Sequence, residues 1–206
     1  EEGDYVKAQR KIDESESLLV PAFEYADNDL RSYFRSWPRW KTWIDTTITE
    51  SRTNQDYSII VDKFSRKLVL YYSGEPLISY KAELGKNWVG DKRVRGDKAT
   101  PEGMYRITKK FLHDSTTYYK ALLLDYPNEE DTAIFEGMMA KGQLPKNAKI
   151  GGMIEIHGNG GKGSDWTAGC IALTDREMDS LFSKVKIGTR VTIVGSMYSL
   201  NNVLKR

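Results

Sequence analysis

From Tyr57 onward the hydrophobic residues change period, and that change limits the folds open to this chain more than any other feature. Seven segments, YSIIVDK, RKLVLYYSG, PLISYKAELG, GMYRITKKF, KALLLDY, MIEIHG and TRVTIVG, are rich in β-branched and aromatic residues and are separated by glycine and proline turns. Two helical patterns interrupt them. One, NEEDTAIFEGMMAKG, starts after Asn128 with acids in its first turn and stops at Gly142; the other follows Thr174, where Thr174 and Glu177 form a capping box. Strands and helices do not alternate, so a doubly wound sheet is disfavoured and a mainly antiparallel β fold with accessory helices is expected.

Upstream of Tyr57 the pattern is helical. Leu18, Leu19, Phe23, Tyr25, Leu30, Tyr33 and Phe34 recur at three- and four-residue spacings punctuated by Pro21 and Pro38, which predicts two or three short helices. Trp37, Trp40, Trp43, Ile44 and Ile48 form a stripe read as a packing face. Charge divides at the same place: residues 1–56 hold 8 Lys/Arg against 12 Asp/Glu, and 57–206 hold 23 against 17. The expected organisation is a helical N-terminal appendage over 1–55, a β-rich main domain over 56–195 and a tail over 196–206. A mildly basic main domain favours an anionic substrate. Nucleic acid is not an expected partner, because the aromatics do not interleave with a dense basic stripe.

With 206 residues the chain can bury a real core. No run approaches the roughly 18 to 20 apolar residues of a membrane span, so stable membrane insertion is not expected. No leader pattern opens the chain at Glu1, which leaves a cytosolic protein or one whose leader has been removed. One cysteine, Cys170, and two histidines, His113 and His157, fall short of a structural zinc set, and no metal or organic cofactor is expected. His113 reads as a surface residue.

The lone thiol is either buried filler or a reagent. It stands thirteen residues after His157 in IHGNGGKGSDWTAGCIALTD, the most glycine-rich stretch of the chain. Within it, GNGGKG matches G-x-G-x-x-G after an apolar strand, but SDWTAGCIAL follows where a helix should open, which rejects a dinucleotide site. A phosphate loop fails as well, since Ile156 and Gly163 stand where glycine and Ser/Thr are needed. A Cys/His acyl-transfer centre fits better. A thiol with an ordinary pKa of about 8.5 needs a base or a positive field near neutrality, and His157, at the end of a strand, can supply the base if the glycine-rich loop folds back. Gly169 permits a tight backbone approach, and the amides around Gly169 and Cys170 are candidates for an oxyanion site.

IHGNGG, DWTAGCIALTD, GDKATPEGMYRI and LLLDYPNEED together resemble the L,D-transpeptidase (YkuD) catalytic domain, whose signature is His-Gly, a variable loop and [S/T]-x-G-C; the likeness covers roughly Tyr57 to Gly195. The resemblance implies an L,D-transpeptidase-like β-sandwich with accessory helices. It also implies cell-wall chemistry in the periplasm or cell envelope, the second of the two alternatives for the leader. By the same resemblance Cys170 is the nucleophile, His157 the general base and Gly169 part of the oxyanion environment, with Thr167 at the motif's hydroxyl position. The implied reaction forms a thioester with a peptidoglycan stem tetrapeptide, releases D-alanine, and passes the acyl group to an amine such as another stem or a lipoprotein lysine. The alternative is an L,D-carboxypeptidase or another hydrolase cutting a peptidoglycan-linked amide by the same chemistry. Ala168 and Ala172 depart from the family pattern, which often has His or Arg at the first place and Arg or Asn at the second. Asp165 and Trp166, one turn before the nucleophile, anchor the loop or line the donor groove, and with Thr167 they are the expected substrate contacts beside Cys170; the basic stretch Lys86–Lys98 is either a solvated loop or, through Arg93 and Arg95, the contact for stem carboxylates that Ala172 does not supply.

Overall fold

A computed structural model describes residues 2–205. Two helices open it, α1 (Glu2–Phe34) and α2 (Trp37–Asn54). They replace the two or three short helices expected: Pro21 lies inside α1, whose exposed surface carries the i, i+4 pairs Gln9–Asp13 and Arg31–Asp27. A proline costs a helix one backbone bond and a kink, and does not have to end it. Pro38, by contrast, sits in the first turn of α2, where its missing N–H costs nothing.

The strands are β1 (Tyr57–Asp62), β2 (Lys67–Tyr72), β3 (Glu75–Lys81), β4 (Gly103–Leu112), β5 (Lys120–Leu124), β6 (Glu155–His157), β7 (Ile171–Ala172) and β8 (Arg190–Val194). They form one curled, mixed sheet of order β3-β2-β1-β8-β4-β5-β6-β7, in which β1–β8 and β6–β7 are parallel pairs and the other pairs antiparallel. The expected sandwich of two sheets thus takes the form of a single sheet with β4 shared between its halves. The chain beyond β3 crosses to the far edge: Glu83 exchanges both backbone hydrogen bonds with Ala172, at 2.9 and 2.8 Å. The curl therefore brings the segment after β3 against the strand that follows Cys170.

Alternation along β1 explains why that strand is apolar throughout. Ile59 and Val61 enter the core inside the curl, while Ile60 faces the helices and packs with Tyr33, Phe34, Trp40, Ile44, Tyr71 and Val194. Trp40 is fully buried, so the tryptophan stripe is a packing face as expected. It fits only because residue 195 is glycine: a Cβ there would stand 2.2 Å from the indole. Thr47 of α2 bonds Thr192 of β8 at 2.6 Å, and Glu50 accepts from Arg106 and Arg190.

Glu102, the acid of the T-P-E-G element, lies at the centre of this junction. Its carboxylate accepts from Tyr33 Oη at 2.7 Å, Trp40 Nε1 at 3.0 Å and Lys63 Nζ at 2.9 Å. Lys63 is fully buried and also donates to the carbonyls of Gly90 and Thr100. A buried ion pair is tolerable only when its remaining donors and acceptors are met, and here both partners are.

The two remaining long helices, α3 (Glu129–Ala140) and α4 (Asp175–Phe182), begin where the sequence places them. Each has a reciprocal capping box, Asn128 with Asp131 and Thr174 with Glu177. A short helix, α5 (Leu200–Val203), occupies the tail and packs Leu200 and Val203 against the helix-side core. No helix among the described residues is long and apolar enough to cross a membrane.

Candidate active site

β6 and β7 bring His157 and Cys170 together. In their parallel register His157 pairs with Ala172, and Cys170 stands two residues earlier on the same edge, a diagonal neighbour of His157. The thirteen-residue excursion returns because the Leu173 N–H donates to the His157 carbonyl at 2.8 Å and the Gly160 N–H to the Leu173 carbonyl, also at 2.8 Å. Asn159 and Gly161 adopt left-handed backbone in the turn.

His157 is completely buried. Its Nδ1 lies 2.6 Å from the Gly158 carbonyl, which can only accept; Nδ1 therefore carries the proton and Nε2 the basic lone pair. Nε2 has no hydrogen-bond partner among the described residues. The Tyr118 ring stacks on the imidazole at 3.6 Å and Trp166 meets it edge-on at 5.9 Å, with Lys162 Nζ 3.2 Å from the Trp166 ring centroid. Burial, aided by the Lys162 charge, pushes the imidazole below its ordinary pKa, so the ring is held neutral.

Cys170 is half-buried. Its Sγ donates to the Met153 carbonyl at 3.6 Å. Burial pushes the thiol up to about 11, with the Glu155 carboxylate adding to the rise. Both shifts favour the neutral thiol and the neutral imidazole. A cavity of about 650 Å³ opens on the sulfur, lined in part by Lys92, Arg95, Met153, Ile154 and Ala168.

The residues around the nucleophile divide into those that face this space and those that shape it. Gly169 has φ +135°, and a Cβ there would stand 2.7 Å from the Ala99 carbonyl, so glycine is required. Its N–H donates to Thr167 Oγ1 at 3.1 Å and is engaged inside the turn. Thr167 is buried and donates in turn to the Cys170 carbonyl at 2.7 Å, which makes it a clamp on the loop, not the substrate contact expected. Asp165 likewise turns inward, accepting from Arg66 and from the Leu84 N–H at 2.9 Å. Trp166 donates to Glu83 at 2.7 Å and shields His157. Arg95 reaches the Cys170 cavity, whereas Arg93 lines a neighbouring one. His113 is exposed in a one-turn 3₁₀ helix.

Three contributors escaped the sequence reading. Glu83 is buried and holds the loop through Trp166 and the Gly163 N–H. Tyr118 covers the base. Glu155 was the detectable one, because in MIEIHG it alternates with His157 and so shares its face of β6.

Ala172 is wholly buried, with both backbone groups bonded to Glu83. Ala172→Arg is therefore expected to lower stability by about 3 kcal/mol or more, through overpacking and a buried charge, instead of adding a substrate contact. The urea midpoint of the purified variant checks this, and an unchanged midpoint would contradict it.

A curled mixed sheet presenting a histidine at the end of one strand and a cysteine just before its parallel neighbour defines a class of proteins. The family model that matches is YkuD, the L,D-transpeptidase catalytic domain, over residues 56–193, and the chain belongs to that family. It is 30% identical over 131 residues to the Escherichia coli (strain K12) protein named "Putative L,D-transpeptidase YafK", a match covering 62% of this chain and 46% of that protein. The chain thus spans about half the length of the curated relatives it matches. Among solved structures it is similar to Bdellovibrio bacteriovorus Bd1075, with a TM-score of 0.52, 24% identity, and coverage of 69% of this chain and 49% of that one. It is similar also to the helical cell shape determining protein Pgp2 from Campylobacter jejuni, with a TM-score of 0.50, 23% identity, and coverage of 76% and 56%. These two likenesses establish the fold.

Proposed function

We propose that the chain is a cysteine-dependent peptidoglycan L,D-transpeptidase of the cell envelope, forming a thioester between Cys170 and a stem tetrapeptide and transferring the acyl group to an amine. The observation that carries this is the His157 tautomer: Nδ1–H is committed to the Gly158 carbonyl, leaving an unpartnered basic Nε2 beside the strand that presents the thiol. Family membership supports the substrate class.

In this mechanism Nε2 removes the thiol proton as sulfur attacks the scissile carbonyl carbon. With the Gly169 N–H engaged by Thr167, the amide of Cys170 is the oxyanion donor in this reading. Collapse of the tetrahedral intermediate breaks the C–N bond, and the imidazolium gives its proton to the departing D-alanine amine. An acceptor amine then attacks the thioester, loses a proton to Nε2, and the thiol leaves reprotonated. No step requires a metal or cofactor.

Incubating the enzyme with a tetrapeptide stem, with and without a second stem or a lysine-bearing lipoprotein peptide as acceptor, tests the reading. The expected result is a Cys170 thioester adduct in the mass spectrum and an amide-linked product that grows with acceptor concentration. Release of tripeptide alone at every acceptor concentration would replace transfer by hydrolysis, and no adduct with any stem would remove both.

A further inference from the structure

β6 carries one acid on the face that holds the thiol and the base, and the acyl-transfer steps leave it without a task. Glu155 and His157 alternate along β6. The parallel register pairs Ile156 with Ile171 and His157 with Ala172, and one step back along both strands sets Glu155 across from Cys170. Ile156 and Ile171 belong to the core on the opposite face. Acid, base and thiol are therefore neighbours on one face, and the Glu155 charge acts both on Cys170 and on Tyr118, the ring that covers the base.

Nothing around this carboxylate compensates its burial. Glu155 is only 7% exposed, yet its carboxylate makes no hydrogen bond and no ion pair among the described residues. Its neighbours on β5 are apolar, Leu123 opposite it and Ala121 opposite His157. The lysines around the site are engaged elsewhere: Lys92 with Asp97, Lys120 with Asp179, and Lys162 over the Trp166 ring. Glu83, by contrast, accepts from Trp166 Nε1 and the Gly163 N–H. A buried acid without a partner is costly to the fold, and burial holds Glu155 above the ordinary carboxylate range. Its charge also raises the Cys170 thiol, the opposite of what activating a nucleophile requires, so the donor half of the reaction does not account for it. The missing counterpart is a cation, and a substrate can bring one.

We propose that Glu155 is the binding residue for the primary ammonium group of the amine acceptor, which it places at the thioester on Cys170. The inference rests on the reading of Cys170 as the acyl-accepting thiol. Near neutrality an alkyl amine is an ammonium ion and has no lone pair with which to attack. Beside Glu155 it gives one proton to the carboxylate, which becomes a neutral carboxyl group. The free amine then attacks the thioester carbonyl; the C–N bond forms as the C–S bond breaks, and the second amine proton passes through Nε2 to the sulfur. The carboxyl proton returns to water when the product leaves. A water molecule brings no charge for Glu155 to hold, so the same residue favours transfer to an amine over hydrolysis.

The test divides one acyl-enzyme, formed from a tetrapeptide stem, between two nucleophiles near neutral pH: a lysine-bearing peptide, cationic in solution, and hydroxylamine, uncharged there. Glu155→Gln removes the charge and keeps the shape. It is expected to lower the ratio of lysine-peptide product to hydroxamate by about tenfold or more, chiefly through a higher KM for the peptide, and Glu155→Asp to lower it less. Both products come from the same intermediate, so the ratio does not depend on how fast that intermediate forms. The carboxylate has no partner to lose, and the urea midpoint of the Gln variant is expected not to fall. An equal ratio in parent and Gln variant overturns the assignment, and a lowered midpoint overturns it too by revealing a structural bond. A parent acyl-enzyme that hydroxylamine captures and no cationic amine does overturns it while leaving the Cys170 reading intact. Absence of any acyl-enzyme in the parent overturns the Cys170 reading and this one with it.

Discussion

Cys170→Ala is expected to abolish product formation from a tetrapeptide donor, by at least about 10³-fold, while changing stability by no more than about 1 kcal/mol. The two halves of this expectation separate the two fates of a single thiol. A filler cysteine contributes through packing, so alanine would lower stability and leave turnover alone. Cys170 is half-buried, faces a cavity, and its sulfur is hydrogen-bonded to the Met153 carbonyl, so little packing is lost with it. Removal of the nucleophile removes the thioester route entirely, for transfer and hydrolysis alike, because both pass through the same bond. Product quantified by mass spectrometry and the urea midpoint of the same preparation are the two measurements. Undiminished product from the alanine variant would rule out the nucleophile assignment.

Seven of the eight strands, the two capped helices and the tryptophan packing face are legible because each rests on local rules, period two, a capping box, and i, i+3 spacing, whereas the two-residue β7 beside Cys170 is too short to show a period. The curl was not. Its closing contact pairs Glu83 with Ala172, 89 residues apart, and nothing local in either segment announces the other. The same contact decides the fate of several site residues. Asp165 is expected at the substrate groove from its place before the nucleophile and Thr167 from its place in the motif, yet the chain arriving from β3 occupies their outer side, and their side chains bond the Leu84 N–H and the Cys170 carbonyl. Helix length was misread for a related reason. Pro21 is a reliable stop only where the helix has no other support, and α1 carries i, i+4 pairs on both sides of it.

T-P-E-G shows a family motif serving as a structural anchor. Glu102 stands 68 positions before Cys170 and is buried under the helices, where it accepts from Tyr33, Trp40 and Lys63. Lys63 in turn fixes the carbonyls of Gly90 and Thr100, which bound the loop carrying Lys92, Arg93 and Arg95. The loop that lines both cavities is therefore held at its two ends by one buried cation. The carboxylate that orders that cation also binds α1 and α2, so the position of the basic loop and the docking of the helices are set by the same group.

His157→Gln is expected to change the pH profile of Cys170 alkylation by iodoacetamide as well as its rate. In the parent the attacking form needs a neutral imidazole. Burial places the His157 pKa below its ordinary value of about 6.5, so the rate should be flat through neutrality and fall only in more acidic solution. Without the base the thiol must ionise unaided. With its pKa near 11, only about one molecule in 10⁴ is thiolate at pH 7, and the rate should rise about tenfold per pH unit toward 11. At pH 7 the parent should therefore be faster by about 10² to 10⁴, the range that general-base assistance spans, and the difference should shrink as pH rises. The same depressed pKa has a stability consequence of fixed sign. Between the folded and unfolded pKa values the unfolded chain binds more protons at this position, so the native state should lose stability as pH falls below about 6.5, and the Gln variant should lose less over that interval. Superimposable alkylation profiles for parent and variant would mean that Nε2 does not take the thiol proton, whatever its position beside the strand.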